Sequence, residues 1–322
     1  MIEPGQKPPS INIPLWMLVG CLVLAGPLLF IGGPDHYSAR PVKLLWDLGH
    51  IPLMFCLGLI LIKLLSILRL TSYWLFFSIY LCVILVVAVT TEFIQGKIGR
   101  IASISDVASD IWGALLAWLF IGHYPLVRRF AWRCVFTGVA IGLGAVVLSR
   151  PAMVLYDEVL ARVQFPLLAG FESTSELSRW KVKSGLVRST DRATEGRYSL
   201  KVLLLPTGYS GVSFRDFPVD WRAFDVLRFD VWSPMMSLPI TVRVHDKTHQ
   251  EGAQVYDDRF NRRYRLDKGW NRITIDLHEI SQAPKGRTLK LSEVEGFGFF
   301  GYNLGFSETI YLDQVLLLRK DS

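Results

Sequence analysis

The second half of the chain has no cysteine. All four, Cys21, Cys56, Cys82 and Cys134, fall within apolar runs of the first half. Residues 151 to 322 therefore have neither a disulfide framework nor a cysteine-rich metal site, which is compatible with a setting outside the cytoplasm. Charge is the next scarcity. Residues 70 to 91 carry none, and residues 1 to 150 hold 11 Lys or Arg and 6 Asp or Glu, against 24 and 22 in residues 151 to 322. The formal net charge of +7 thus divides as +5 and +2. No Lys/Arg block marks a nucleic-acid face, so no nucleic-acid partner is expected. Missing too are an HExxH or paired-histidine motif, a nucleophile elbow and a phosphate loop.

What is present is apolar length. A bilayer-crossing helix needs roughly 20 mainly apolar residues. Five stretches qualify: 11 to 33, 44 to 62, 71 to 95, 106 to 124, and 130 to 149, where Arg133 interrupts the start. The first is a poor cleavable signal, because Glu3 offsets Lys7 and no small-x-small site follows. The expected fold is a membrane all-α bundle of five transmembrane helices over residues 1 to 150. An amphipathic, interfacial linker follows over 151 to 168, and an all-β sandwich over 169 to 322. An odd number of spans puts the two ends of the bundle on opposite sides. Arg128, Arg129 and Arg133 favour a cytoplasmic fourth loop, hence a cytoplasmic N-terminus and an extracytoplasmic sandwich in the cytoplasmic membrane.

With that orientation three helix ends meet on the outer side. Asp47 and His50 are three residues apart, as are Glu92 and Gln95, while Asp106 and Asp110 are four apart; each pair shares a helix face. Ser103 and Asp106 match a capping box, and Ser105 lies between them. Asp47, His50, Glu92, Gln95, Arg100, Ser105, Asp106 and Asp110 can so gather at one depth. Ionisable groups there cost up to about 2.5–3.5 kcal/mol each, so they either pair into a latch or bind something. His50 and Glu92 could serve as acid and base, with Asp47 orienting His50.

The ordered set Asp47-x-x-His50, Glu92-x-x-Gln95, Arg100, Ser103-x-Ser105-Asp106 and Gly113 resembles the VanZ-like (teicoplanin-resistance) membrane proteins over residues 40 to 122. The chain departs from that pattern at Leu48, where the family often has a basic residue, and at Asp110, where it usually has Asn. The resemblance implies a membrane fold and a polar site, with a link to the glycopeptide-antibiotic response.

From 171 onward the periodicity changes. YSLKVLLL, VLRFDVWS, ITVRVHD, NRITIDL, FGFFGYN and TIYLDQVLLL are short, mostly alternating and rich in β-branched and aromatic residues, as in antiparallel strands of a sandwich. Phe171-Glu172, Glu195-Gly196, Gly269-Trp270-Asn271 and Tyr311-Leu312-Asp313 come in the order seen in jelly-roll carbohydrate-binding modules of galactose-binding-like fold. That resemblance covers residues 168 to 319. It implies a glycan or cell-envelope ligand, and a structural Ca²⁺ near the joined first and last strands, where Glu172 and Asp313 occupy the matching positions. Alternation sends Val231, Val242 and Val244 to one face and Trp232, Arg243 and His245 to the other. Together with Tyr256, Arg259 and Asn261 these form the expected sugar face, rings for stacking and polar groups for hydroxyls.

Three functions compete at this level: a membrane-tethered binder of glycan, a membrane enzyme acting on a lipid-linked or cell-wall substrate at the helix-edge cluster, and a scaffold whose sandwich holds a protein. Membrane lipid is a partner in each.

Overall fold

The computed structural model describes residues 13–34, 38, 40–68, 72–98, 103–121, 130–182 and 186–320. The chain divides into two compact units, Met1–Ala152 and Met153–Ser322.

The first unit is helical: α1 (Leu15–Ala25, continued by a 3₁₀ turn Gly26–Leu29), α2 (Arg40–Asp47), α3 (His50–Ile67), α4 (Tyr73–Lys97), α5 (Ile104–Ile121) and the start of α6 (Phe130–Gln164). Among the described residues three helical stretches, Arg40–Ile67, Trp74–Lys97 and Ala131–Gln164, are long and apolar enough to cross a membrane, against five expected. The first expected span is helical only over Leu15–Leu29, where Gly26-Pro27 tightens the helix into a 3₁₀ turn. At 1.5–2 Å per residue it is roughly 24 Å long, short of the ~30 Å hydrocarbon core. The fourth is α5, 18 residues. Arg128 and Arg129, on which the expected orientation rests, lie outside the described residues.

Small residues set how closely these helices pack. A Cβ on Gly113 would meet the Ile51 carbonyl oxygen at 2.4 Å, and one on Gly58 would meet Tyr80 Oη at 2.5 Å and Ala117 Cβ at 2.9 Å. Contact between α3 and α5 therefore depends on glycine at both positions. Tyr80 Oη donates to the Ala114 carbonyl at 2.7 Å, so its hydroxyl is satisfied within an otherwise apolar core of Ile62, Phe76, Ile84 and Trp118. Large apolar side chains also point outward, among them Trp16, Leu24, Val86, Val89, Ile141 and Val146.

The second unit begins within α6 and continues as two antiparallel sheets. One has the order β3 (Leu186–Ser189), β4 (Ser199–Leu204), β11 (Glu308–Leu318), β6 (Val226–Ser233), β9 (Gly269–Asp276), with β1 (Leu167–Ala169) also on β11. The other runs β2 (Trp180–Val182), β5 (Tyr209–Phe214), β10 (Val294–Tyr302), β7 (Leu238–Asp246), β8 (Phe260–Leu266). Inward positions alternate as the pleat requires: Leu227, Phe229 and Val231 from β6 meet Ile240, Val242 and Val244 from β7 and Phe297 and Phe299 from β10. Each such burial contributes about 1.5–3 kcal/mol.

One charged pair lies inside this unit. Asp157 on α6 accepts from Arg179 Nε and Nη2, both at 2.9 Å, and from Ser175 Oγ at 2.9 Å, while Arg179 Nη1 donates to the Leu168 carbonyl at 2.8 Å. Neither side chain is exposed. The segment expected to be an interfacial linker is helical through Gln164 and carries Asp157.

Candidate functional site

The helix ends hold the first cluster. α2 stops at Asp47, the chain turns through Leu48-Gly49, and His50 opens α3. Asp47 is consequently exposed and His50 is buried. The residue on His50 Nδ1 is Asp110 of α5, 2.9 Å away, so Asp110 holds the ring in the place expected of Asp47. The break after Asp47 cancels the three-residue spacing that would have put the two on one helix face. Glu92 Oε2 accepts the Ser103 backbone N–H at 2.7 Å, so Glu92, not the capping-box Asp106, takes that donor. Ser105 is exposed, its Oγ 2.6 Å from Ser103 Oγ and 3.4 Å from Asp106 Oδ1. Gln95 Nε2 donates to the Leu29 carbonyl at 2.8 Å. Arg100 lies outside the described residues.

His50, Glu92 and Asp106 bring potential ligand atoms within 4.8 Å of one another. One imidazole and two carboxylates form a mixed N/O donor set, and Asp110 behind His50 is the usual outer partner of a ligating histidine. Glu92 Oε1 and Asp110 Oδ2 are buried without a hydrogen-bond partner. The same arrangement equally suits proton transfer between a carboxylate-supported imidazole and Glu92.

In the sandwich, the expected calcium pair does other work. Glu172 Oε1 accepts the backbone N–H groups of Arg197 and Tyr198 at 2.8 and 2.9 Å. Asp313 Oδ2 accepts from Thr194 N, Thr194 Oγ1 and Glu195 N at 2.7, 3.0 and 3.3 Å, and its Oδ1 accepts from Gln314 N at 2.8 Å. Five of these six donors are backbone amides of the 194–198 turn or the β11 bulge. They point positive dipoles at three of the four carboxylate oxygens, so the turn itself holds these acids and Glu172 Oε2 lies outside these bonds.

The expected sugar face is divided between the two sheets. Trp232 is on β6, paired with Trp270 of β9 on the β3–β4–β11–β6–β9 sheet. The Arg192 guanidinium covers its ring at 3.7 Å and Tyr311 meets it edge-on at 5.6 Å. An open depression of about 510 Å³ beside it is lined by Ala193, Thr194, Asp230, Trp270 and Arg272. There Arg272 forks onto Asp230 at 3.0 and 3.1 Å, so the two charges are matched. Strand alternation separates inside from outside but does not say which sheet a strand joins, so Trp232 and Arg243, both outward, lie on different sheets.

Arg243, His245 and Asn261 lie on the other sheet, on β7 and β8; Arg259 immediately precedes β8, and Tyr256 begins the 3₁₀ turn Tyr256–Asp258. Register sets a row across four strands: Ser213 opposite Gly298, Gly298 opposite Arg243, Arg243 opposite Asn261. His245 stands opposite Gly296 one step along. Arg243 Nη2 reaches Ser213 Oγ at 3.3 Å, His245 Nε2 meets Gln250 Oε1 at 2.8 Å, and Asn261 Nδ2 donates to the Tyr256 carbonyl at 2.9 Å. Arg243 Nε, His245 Nδ1, Arg259 Nε and Asn261 Oδ1 remain buried with no partner. With Nε2–H donating to Gln250, His245 Nδ1 is a lone-pair acceptor, so the row and its two neighbours, His245 and Arg259, together offer two N–H donors and two acceptors.

Burial, then the Arg259 and Arg215 charges, pulls Arg243 down to about 10. Burial, then Arg243, pulls His245 down to about 3, keeping it neutral. Beside the row is an aromatic group absent from the expected set. Tyr209 meets Phe300 at 5.2 Å and Tyr302 at 4.6 Å, and Tyr209, Tyr302 and Tyr256 are 58, 55 and 63 % exposed. The available signal was GFGFFGY (296 to 302), whose outward positions are occupied only by glycine and aromatic residues.

No family model and no curated protein matches the chain. Solved structures similar to its sandwich half include a family 11 carbohydrate-binding module from Clostridium thermocellum in complex with a β-1,3-1,4-mixed-linked tetrasaccharide. That likeness has 19 % identity over 48 % of this chain and 94 % of that one, with a TM-score of 0.36. A family 30 carbohydrate-binding module of a cellulosomal cellulase from the same organism is similar at 14 % identity over 45 % and 88 %, TM-score 0.34. An exo-β-agarase is similar at 15 % identity over 48 % of this chain and 25 % of that one, TM-score 0.37.

Proposed function

We propose that this is a membrane-anchored glycan-binding protein. Its helical half lies in the cytoplasmic membrane, and its extracytoplasmic sandwich holds a saccharide on the outer face of β5, β10, β7 and β8. One observation carries the reading: four buried polar atoms without partners belong to neighbouring residues on one sheet face, Arg243 and Asn261 in one register row, His245 one step along β7 and Arg259 just before β8, beside exposed tyrosines. A buried donor or acceptor left unsatisfied costs about 1–3 kcal/mol. Hydroxyls of a sugar supply both kinds of partner, and the rings supply a stacking surface. Three apolar helices of sufficient length and the outward apolar side chains support the membrane anchor.

The test is binding of neutral and acidic oligosaccharides to the full chain in detergent, compared with Tyr209→Ala and Asn261→Ala. Binding that weakens in both variants while their melting temperatures hold supports the reading. An array without a single binder, or variants that bind like the parent, sinks it. A reporter fused after residue 322 that signals from the cytoplasm would overturn the orientation.

A second reading concerns the helical half, taken as VanZ-like: a membrane enzyme acting on a lipid-linked envelope substrate through His50, Asp110 and Glu92. The buried oxygens Glu92 Oε1 and Asp110 Oδ2, which have no hydrogen-bond partner, support it. Cells carrying His50→Ala or Glu92→Gln should then lose the phenotype of the intact gene, teicoplanin susceptibility included, at unchanged protein levels. Unchanged phenotypes would remove this reading.

A further inference from the structure

Resting on the glycan-binding reading, the charge of the face narrows the class of saccharide. Arg243 and Arg259 are partly buried, their Nε atoms have no acceptor, and neither forms an ion pair among the described residues. Outward positions on the surrounding strands supply no carboxylate. They are Tyr209, Gly211 and Ser213 on β5, Gly298, Phe300 and Tyr302 on β10, Thr241, Arg243 and His245 on β7, and Asn261, Arg263 and Arg265 on β8. Nearby acids are engaged elsewhere: Asp257 binds Lys285 at 2.7 Å, Asp258 binds Arg287, and Asp246 is forked by Arg287 at 2.7 and 2.8 Å. Glu295, at the irregular end of β10, interacts with Lys247 and Arg215, and no carboxylate is among the charges acting on Arg243 or Arg259.

Two like charges held close together in a partly desolvated row repel each other and lose hydration. A neutral sugar seated over them deepens the desolvation and returns only neutral hydrogen bonds. An anion returns charge-assisted bonds to both forks and cancels the repulsion. We propose that the ligand is an anionic saccharide, one bearing carboxylate, sulfate or phosphate, with its charged group held between Arg243 and Arg259 and its ring against Tyr209.

The experiment is titration of the detergent-purified full chain with size-matched oligosaccharides: a neutral galacto-oligosaccharide and its uronate, sulfate-ester and phosphate-ester counterparts, at low and high salt. At least one anionic form should bind about tenfold or more tighter than the neutral one, with the gap narrowing as salt rises. Arg259→Gln and Arg243→Gln should each lower anionic affinity about tenfold more than neutral affinity, while Arg243→Lys should retain part of the preference. The identity of the best counterpart tells the three anions apart. Equal or tighter binding of the neutral form, or an anionic preference untouched by either Gln variant, overturns the proposal and leaves glycan binding standing. Should none of the four bind, the glycan reading itself falls.

Discussion

Arg179 and Arg243 belong to one sandwich and are both withdrawn from water, yet their surroundings differ throughout. Arg179 is anchored: Asp157 takes a two-nitrogen fork, Leu168 takes a third N–H, and the exposure of the pair is nil. Arg243 has one long bond to Ser213, no carboxylate partner, and two other arginines near enough to depress its pKa. A buried cation with a full set of partners serves the fold, and one without them is held there at the fold's expense. The difference teaches where to look for function: at groups whose valences the chain itself leaves open.

The largest effect that sharpens this contrast is at the anchored arginine. Asp157→Ala strands Arg179 inside the sandwich and should cost about 3–5 kcal/mol, lowering the melting temperature of the second unit by roughly 10 °C in a calorimetric or fluorescence melt. Arg243→Met should do the opposite to stability. It removes an uncompensated charge, so the melting temperature should hold or rise by a few degrees, while saccharide binding is lost. A drop comparable to that of Asp157→Ala would erase the distinction.

Next in size is a pH effect. The pKa of His245 is depressed to about 3 in the folded chain against 6.5 when exposed, so between those values the unfolded chain binds the extra proton. Stability should therefore be fully present above about pH 6.5 and fall as pH drops toward 3, and His245→Gln should flatten that part of the melting-temperature profile. Asp246 and Asp258, whose arginine partner Arg287 holds them low, contribute loss of the same sign further down. An unaltered slope in His245→Gln would show that the imidazole is already accommodated as a cation. The smallest effect concerns Trp232. On the opposite sheet, capped by Arg192, its change to Ala should cost about 1 kcal/mol of stability and leave saccharide affinity within twofold.

Much of the β half is legible from alternation alone. Val231, Val242 and Val244 point inward because strand period fixes that, and Arg243, His245, Arg259 and Asn261 are outward or flanking as expected. Sheet membership is not local information; Trp232 is placed by its pairing with Trp270 and Tyr311, and Arg243 by its pairing with Gly298, 38 to 79 residues away in sequence. β2 and β3 are only three and four residues long, and β5, though it alternates, spends three of its six residues on Ser210, Gly211 and Ser213 and so reads as a turn; with it went Tyr209. In the helical half the polar set is visible as charges where charge is costly. Its pairing is not, since the turn at Leu48-Gly49 redirects Asp47 and leaves His50 to Asp110. Glu172 and Asp313 show the converse: acids at matching positions, whose oxygens the local turn amides take up.

Beneath the row of Ser213, Arg243 and Asn261, β5 and β10 run so close that a methyl on Gly211 would strike the Phe299 carbonyl oxygen at 2.1 Å, and one on Gly298 the Val212 carbonyl oxygen at 2.5 Å. No side chain can be grown from that floor without parting the strands. On the glycan-binding reading, a change of preferred sugar must come through the surrounding side chains, Tyr209, Arg259 or Asn261, while the strand floor between them stays bare main chain.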